Sequence, residues 1–118
     1  MKLYALIILI ALFASCAKDK TEPMKPMPTD CLEEVSFVND VQVIFNVNCS
    51  TSGCHDAQSA TSGYVFETHA QIASSAEVAL KAMQHNPDFT PMPFGQTKLE
   101  DSLIQKVRCW IDQGKKMN

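Results

Sequence analysis

Cysteines stand at positions 49 and 54 and a histidine follows at once, in the run Cys49-Ser50-Thr51-Ser52-Gly53-Cys54-His55. Two thiols followed directly by an imidazole is the arrangement that holds haem covalently. Each sulfur adds to one vinyl group along a porphyrin edge, and the next residue sets its imidazole beneath the iron. The usual gap between the cysteines is two residues; here it is four. The porphyrin fixes the reach between its vinyl groups, so both sulfurs must arrive at the same two points whatever the gap. Two added residues can bulge outward without moving either sulfur, and small Ser50, Thr51, Ser52 and Gly53 suit such a bulge. Gly53 can enter a left-handed turn at no steric cost.

Two other chemistries compete for these residues. A local disulfide between Cys49 and Cys54 is possible in an oxidising compartment, but gives no reason for His55 directly after Cys54. Zinc needs a fourth ligand, usually from a second close pair, and His69 and His85 are lone residues some distance away. If haem is bound, Met92 is the expected sixth ligand. A thioether is a soft ligand, and Met/His ligation raises the reduction potential of haem iron. Pro91 and Pro93 flank Met92 and stiffen its loop, so little entropy is lost in holding the sulfur in place. Met83, His69 and His85 are the alternatives. Met83 suits a helix core, and the two histidines suit the surface.

The elements that must position these groups are helical. Ser36 is a candidate N-cap for a first helix to Val47, with Val38, Val41, Ile44 and Phe45 as its buried stripe. That helix delivers the chain to Cys49. Residues 50–63 read as loop. Thr68 and Gln71 have capping-box form for a second helix from His69 to about His85, with Ile72, Ala76, Ala79, Leu80 and Met83 inward and Pro87 beyond its end. Thr97 and Glu100 suggest another capping box for the last helix. Its face is Leu99, Leu103, Val107, Trp110 and Ile111, with Ile104 beside them and Gly114 as the stop. Tyr64, Phe66, Phe89 and Phe94 are candidates for packing around a cofactor or the loops.

The chain has 118 residues, 46% hydrophobic and 19% charged, with a formal charge of -3. That allows one globular domain and excludes the basic footprint of a nucleic-acid binder. Met1-Lys2 followed by the apolar run 3–13 fits a signal peptide, too short to span a bilayer as a mature helix. Phe13-Ala14-Ser15-Cys16 resembles a lipobox, in which the chain is cut before Cys16 and that cysteine is lipidated. The expected organisation is a signal peptide over 1–15, a lipidated Cys16 with a proline-rich tether over 16–30, and a folded domain over 31–118. Such a protein is exported and held at a membrane surface, facing the periplasm or the cell surface.

Taken in order, these pieces resemble a small single-haem cytochrome c, of the kind found as domains in Bacteroidetes lipoproteins. The carriers are Val41-Gln42-Val43-Ile44-Phe45 before Cys49, the Cys49/Cys54/His55 motif, Met92-Pro93, and Trp110-Ile111-Asp112-Gln113-Gly114. The likeness covers about 35–118; the four-residue gap departs from it. It implies an all-α, cytochrome c-like fold of three main helices around one covalent haem c. Cys49 and Cys54 would be the attachment points, and His55 and Met92 the iron ligands. In that fold the first and last helices cross, which makes a disulfide between Cys31 and Cys109 the expected fate of those cysteines. The implied function is electron transfer between redox partner proteins, with no small-molecule substrate and no enzymatic turnover. The competing classes are a cofactor-free, disulfide-stapled interaction lipoprotein and a haem peroxidase or gas sensor, which would need an open sixth position.

Overall fold

The computed structural model of the protein describes residues 31–118. The expected signal peptide, the lipidation at Cys16 and the tether lie outside the described residues. The described part is all-α: three α-helices, a π-helical turn, a short 3-10 turn and no strand.

The first helical segment opens as the π-helical turn Phe37–Val41 and runs directly into α1, Gln42–Asn48. Ser36 caps it as expected, its Oγ accepting from the Asn39 amide at 3.1 Å. The π turn changes which residue faces inward. Val41 N–H donates to the Ser36 carbonyl, five residues back, at 3.2 Å, so this turn takes an extra residue. Phe37 is consequently buried, whereas Val38, expected in the core, is 52% exposed. Val41, Ile44 and Phe45 are buried as their spacing requires.

Helix α2 spans His69–Met83 behind a complete capping box of Thr68 and Gln71. Its inward face is Ile72, Ala76, Ala79 and Met83. It ends slightly before the expected His85, because His85 itself adopts a left-handed backbone at φ 55°, the conformation that ends a helix. Helix α3 spans Asp101–Asp112. The capping box expected of Thr97 and Glu100 does not form: Glu100 is the N-cap but makes no side-chain capping bond. Asp101 instead puts a carboxylate in the first turn, where the helix dipole favours it. The buried side of α3 is Ile104, Val107, Cys109 and Trp110, while Leu99, Leu103 and Ile111 are only partly buried against it.

Aromatic contacts join the helices. The Phe37 and Trp110 rings lie 5.6 Å apart, and Phe45 meets Phe66 edge-on at 5.1 Å. Trp110 is fully buried, and its Nε1–H donates to the Lys116 carbonyl at 2.8 Å, which keeps the indole proton satisfied. Cys31 and Cys109 are joined by a disulfide with a Cα–Cα distance of 5.3 Å, across a sequence separation of 78. The start of the domain is thereby fastened to α3. Lys106 of α3 also pairs with Asp40, and its hydrogen bond holds the Asp40 carboxyl below the usual carboxylate range.

The connection from α1 to α2 carries backbone strain. Ala60 and Ser62 are left-handed, at φ 42° and 56°. A non-glycine residue there costs about 1–2 kcal/mol, while glycine returns some 0.4–1 kcal/mol of freedom to the unfolded chain. Ala60→Gly is therefore expected to stabilise the domain by about 0.5–1 kcal/mol, measured as a higher urea midpoint at unchanged slope. No change, or a lower midpoint, would show that Ala60 carries no such strain.

Candidate functional site

The last turn of α1 sets the first motif residue. Cys49 is the C-cap, its N–H donating to the Phe45 carbonyl at 2.8 Å, and Ser50 N–H donates to the same carbonyl. The chain then loops through residues 50–54 and returns. His55 N–H donates to the Cys49 carbonyl at 3.0 Å, closing the loop at its base. The two ends of the motif therefore stay adjacent despite the four-residue gap. Gly53 takes φ 82°, the left-handed conformation that suits glycine. Ser50 Oγ donates to the Phe66 carbonyl at 2.6 Å, which ties the loop to the segment before α2.

Cys49 and Cys54 are unbridged thiols, so the local disulfide is not formed. Cys49 packs against the core. Burial, reinforced by the neighbouring Cys54, pushes its thiol up to about 12. Cys54 is exposed.

His55 is only 8% exposed. Its Nδ1–H donates to the Tyr64 carbonyl at 3.2 Å, and its ring lies 4.9 Å from that of Phe66. A proton on Nδ1 leaves the Nε2 lone pair free, and Nε2 has no hydrogen-bond partner among the described residues. This is the tautomer in which an imidazole binds a metal, with the carbonyl fixing the ring's orientation.

Met92 comes from the loop between α2 and α3. Its N–H donates to the Ala82 carbonyl at 3.1 Å, and its carbonyl accepts from His85 Nε2–H at 3.2 Å. Both of its backbone polar groups are thus pinned to the end of α2, and the Met92–Pro93 peptide is cis.

Cys49, Cys54, His55 and Met92 line one cleft of about 790 Å³, inside the roughly 300–1,000 Å³ range of ligand and cofactor sites. Tyr64, Phe66, Phe89 and Phe94 all line it as well. Helix α2 lines it with Val78 and Ala82, which the sequence left unassigned, beside the expected Ala79 and Met83. Ala79 was legible as an inward-facing residue; that Ala82 lines the same cleft needed the packing. Among the described residues lining it, Asp88 is the one carboxylate or fixed cation.

The other residues considered as ligands separate by position. His69 is held between Phe37 and Trp110, at ring distances of 4.7 and 5.8 Å, and donates through Nε2–H to the Lys115 carbonyl. His85 is occupied by Met92. Neither lines the cleft. Met83 does, but it is 2% exposed and packed into the core. Among the described residues no group of three or more His, Cys, Asp and Glu side chains could hold a metal ion by itself. No described helix is long and apolar enough to cross a membrane. No family model, curated protein or solved structure matches the chain.

Proposed function

We propose that this chain is a lipid-tethered, single-haem cytochrome of the c type, with a cytochrome c-like fold, that carries electrons between redox proteins. The observation that carries the reading is the meeting of Cys49, Cys54, His55 and Met92, from two separate loops, in one apolar cleft. The donor set fits haem c. It comprises two thiols for thioether bonds, a buried imidazole with a free Nε2, and a soft thioether on a pinned loop. When bound, haem supplies a one-electron iron couple.

The remaining work falls to the chain. Tyr64 holds the His55 tautomer through its carbonyl. Phe66, Ala79 and Met83 are buried wall residues that keep water out and lower the local dielectric. Met92 would hold the iron opposite the His55 side of the cleft's donor set, and a thioether there would favour electron transfer over binding of peroxide or a diatomic gas. The acidic balance of the chain, a formal charge of -3, lacks the basic footprint of a nucleic-acid binder and suits a protein partner. The Cys16 lipid would keep the domain at a membrane surface, on the periplasmic or cell-surface side.

The test is to express the full chain with a cytochrome c maturation system and denature it. Haem is expected to stay with the polypeptide, and to be absent from a Cys49→Ala, Cys54→Ala double variant. Wild-type protein without covalent haem would overturn the reading.

A further inference from the structure

The two ends of the cysteine loop are held very differently. At the Cys49 end, α1 supplies the anchor and Ser50 Oγ binds the Phe66 carbonyl. Residues 51–54 are exposed. Beyond a local bond from Cys54 N–H to the Thr51 carbonyl at 2.9 Å, the bonds recorded from this outer half to other described residues go to Ser59 and Thr61. Gly53 N–H donates to Ser59 Oγ at 3.0 Å. Thr61 Oγ1 donates to the Gly53 carbonyl at a longer 3.4 Å. Thr61 N–H donates to the Cys54 carbonyl at 3.0 Å. Ser59 is itself fixed, its N–H donating to Asp56 Oδ1 at 3.2 Å. Both peptide groups of Gly53 are therefore gripped by hydroxyls, in a left-handed conformation, immediately before Cys54.

We propose that Ser59, assisted by Thr61, is a positioning residue that sets where the Cys54 thiol stands, so that a four-residue loop can present both sulfurs to one haem. The inference rests on the haem reading above. A wider gap gives the second thiol more freedom than a two-residue gap does, and an exposed loop has no core contacts to remove that freedom. Hydrogen bonds to the residue before Cys54 can remove it. Each attachment adds a thiol across a vinyl group: the S–H bond breaks, sulfur bonds to one vinyl carbon and hydrogen to the other, and no oxidant or reductant is consumed. What Ser59 governs is whether Cys54 is in place when that addition occurs. Gly53 acts through conformation alone, since a Cβ built there meets nothing within 4 Å.

The test compares holo-protein of the wild type with Ser59→Ala, Ser59→Ala/Thr61→Val, Ser59→Thr and Gly53→Ala, all made with the maturation system. Peptide mass mapping gives the ratio of chains with both thioethers to chains attached through Cys49 alone. A remaining vinyl group also moves the reduced pyridine spectrum to longer wavelength. Ser59→Ala is expected to lower the ratio about fivefold, the factor that one net hydrogen bond confers. Gly53→Ala is expected to lower it on the order of tenfold, and Ser59→Thr to restore it. In each affected variant the Cys49 bond persists. A wild-type ratio in Ser59→Ala and in the double variant overturns the proposal. So does loss of both attachments in step with loss of folded protein, because a purely structural role predicts that pattern. Wild-type protein without covalent haem overturns the haem reading itself and is told apart by occurring before any substitution.

Discussion

Replacing Met92 by alanine is expected to abolish the iron–sulfur charge-transfer band of the ferric holo-protein. The reduction potential should fall by a few tenths of a volt, part of the roughly 0.8 V that axial ligands span. The reason is chemical softness: a thioether favours ferrous iron more than a water or an imidazole does. The structure names the control. Met83 also lines the cleft, but it is 2% exposed within the hydrophobic core. Met83→Ala should keep the band and instead lose about 2–5 kcal/mol of stability, as a buried side chain leaves a cavity. If the band persists in Met92→Ala and vanishes in Met83→Ala, the sixth ligand is Met83 and the pinned loop serves only to cover the cleft. His69 and His85 are poor substitutes because their Nε2 atoms already donate to the Lys115 and Met92 carbonyls.

Removing the disulfide has the largest expected effect on folding. With Cys31 and Cys109 both changed to serine, the unfolded chain regains the freedom that closure over a separation of 78 residues denies it. The chain-entropy estimate for such a loop is about 4 kcal/mol. That is a large fraction of the 5–15 kcal/mol by which domains are usually stable, and this domain is small. Urea unfolding of the holo-protein should show a lower midpoint and a somewhat steeper slope, because the released chain exposes more surface when unfolded. Neither cysteine lines the cleft, so the visible spectrum of the folded variant should match the wild type. A midpoint shift worth less than about 1 kcal/mol would mean that the packing of Phe37 on Trp110 and the Asp40 pair with Lys106 already fix this end of the domain.

The helices were largely legible because their signals are local. Thr68 and Gln71 cap α2 through neighbours three residues apart, and Ile72, Ala76, Ala79 and Met83 form its inward face by spacing alone. The misses occur where tertiary contacts decide between near-equal local options. Val38 and Phe37 are both compatible with the first stripe. A π turn selected Phe37, whose ring reaches Trp110 and His69. Phe37 N–H and Val38 N–H donate to the side chain and backbone of Asn118, eighty or more residues away, and no local pattern could reveal that. Thr97 and Glu100 have the spacing of a capping box, yet residues 97–100 stay outside the helix, and Lys98 pairs with Asp101 at 2.7 Å.

The cysteine-histidine motif, the flanked Met92 and the order of the helices follow from the sequence, because covalent chemistry and capping depend on residue type and short spacing. The tertiary structure decided which residues share a space. It set His55 with Nδ1 on the Tyr64 carbonyl and Nε2 free, and placed His69 and His85 outside the lining of the cleft. It also brought Met92 into the same cleft as the two thiols and closed the four-residue gap with a bond from His55 to Cys49. Those outcomes depend on contacts between segments far apart in the chain, whose strength comes from burial and hydrogen bonding and not from any local preference.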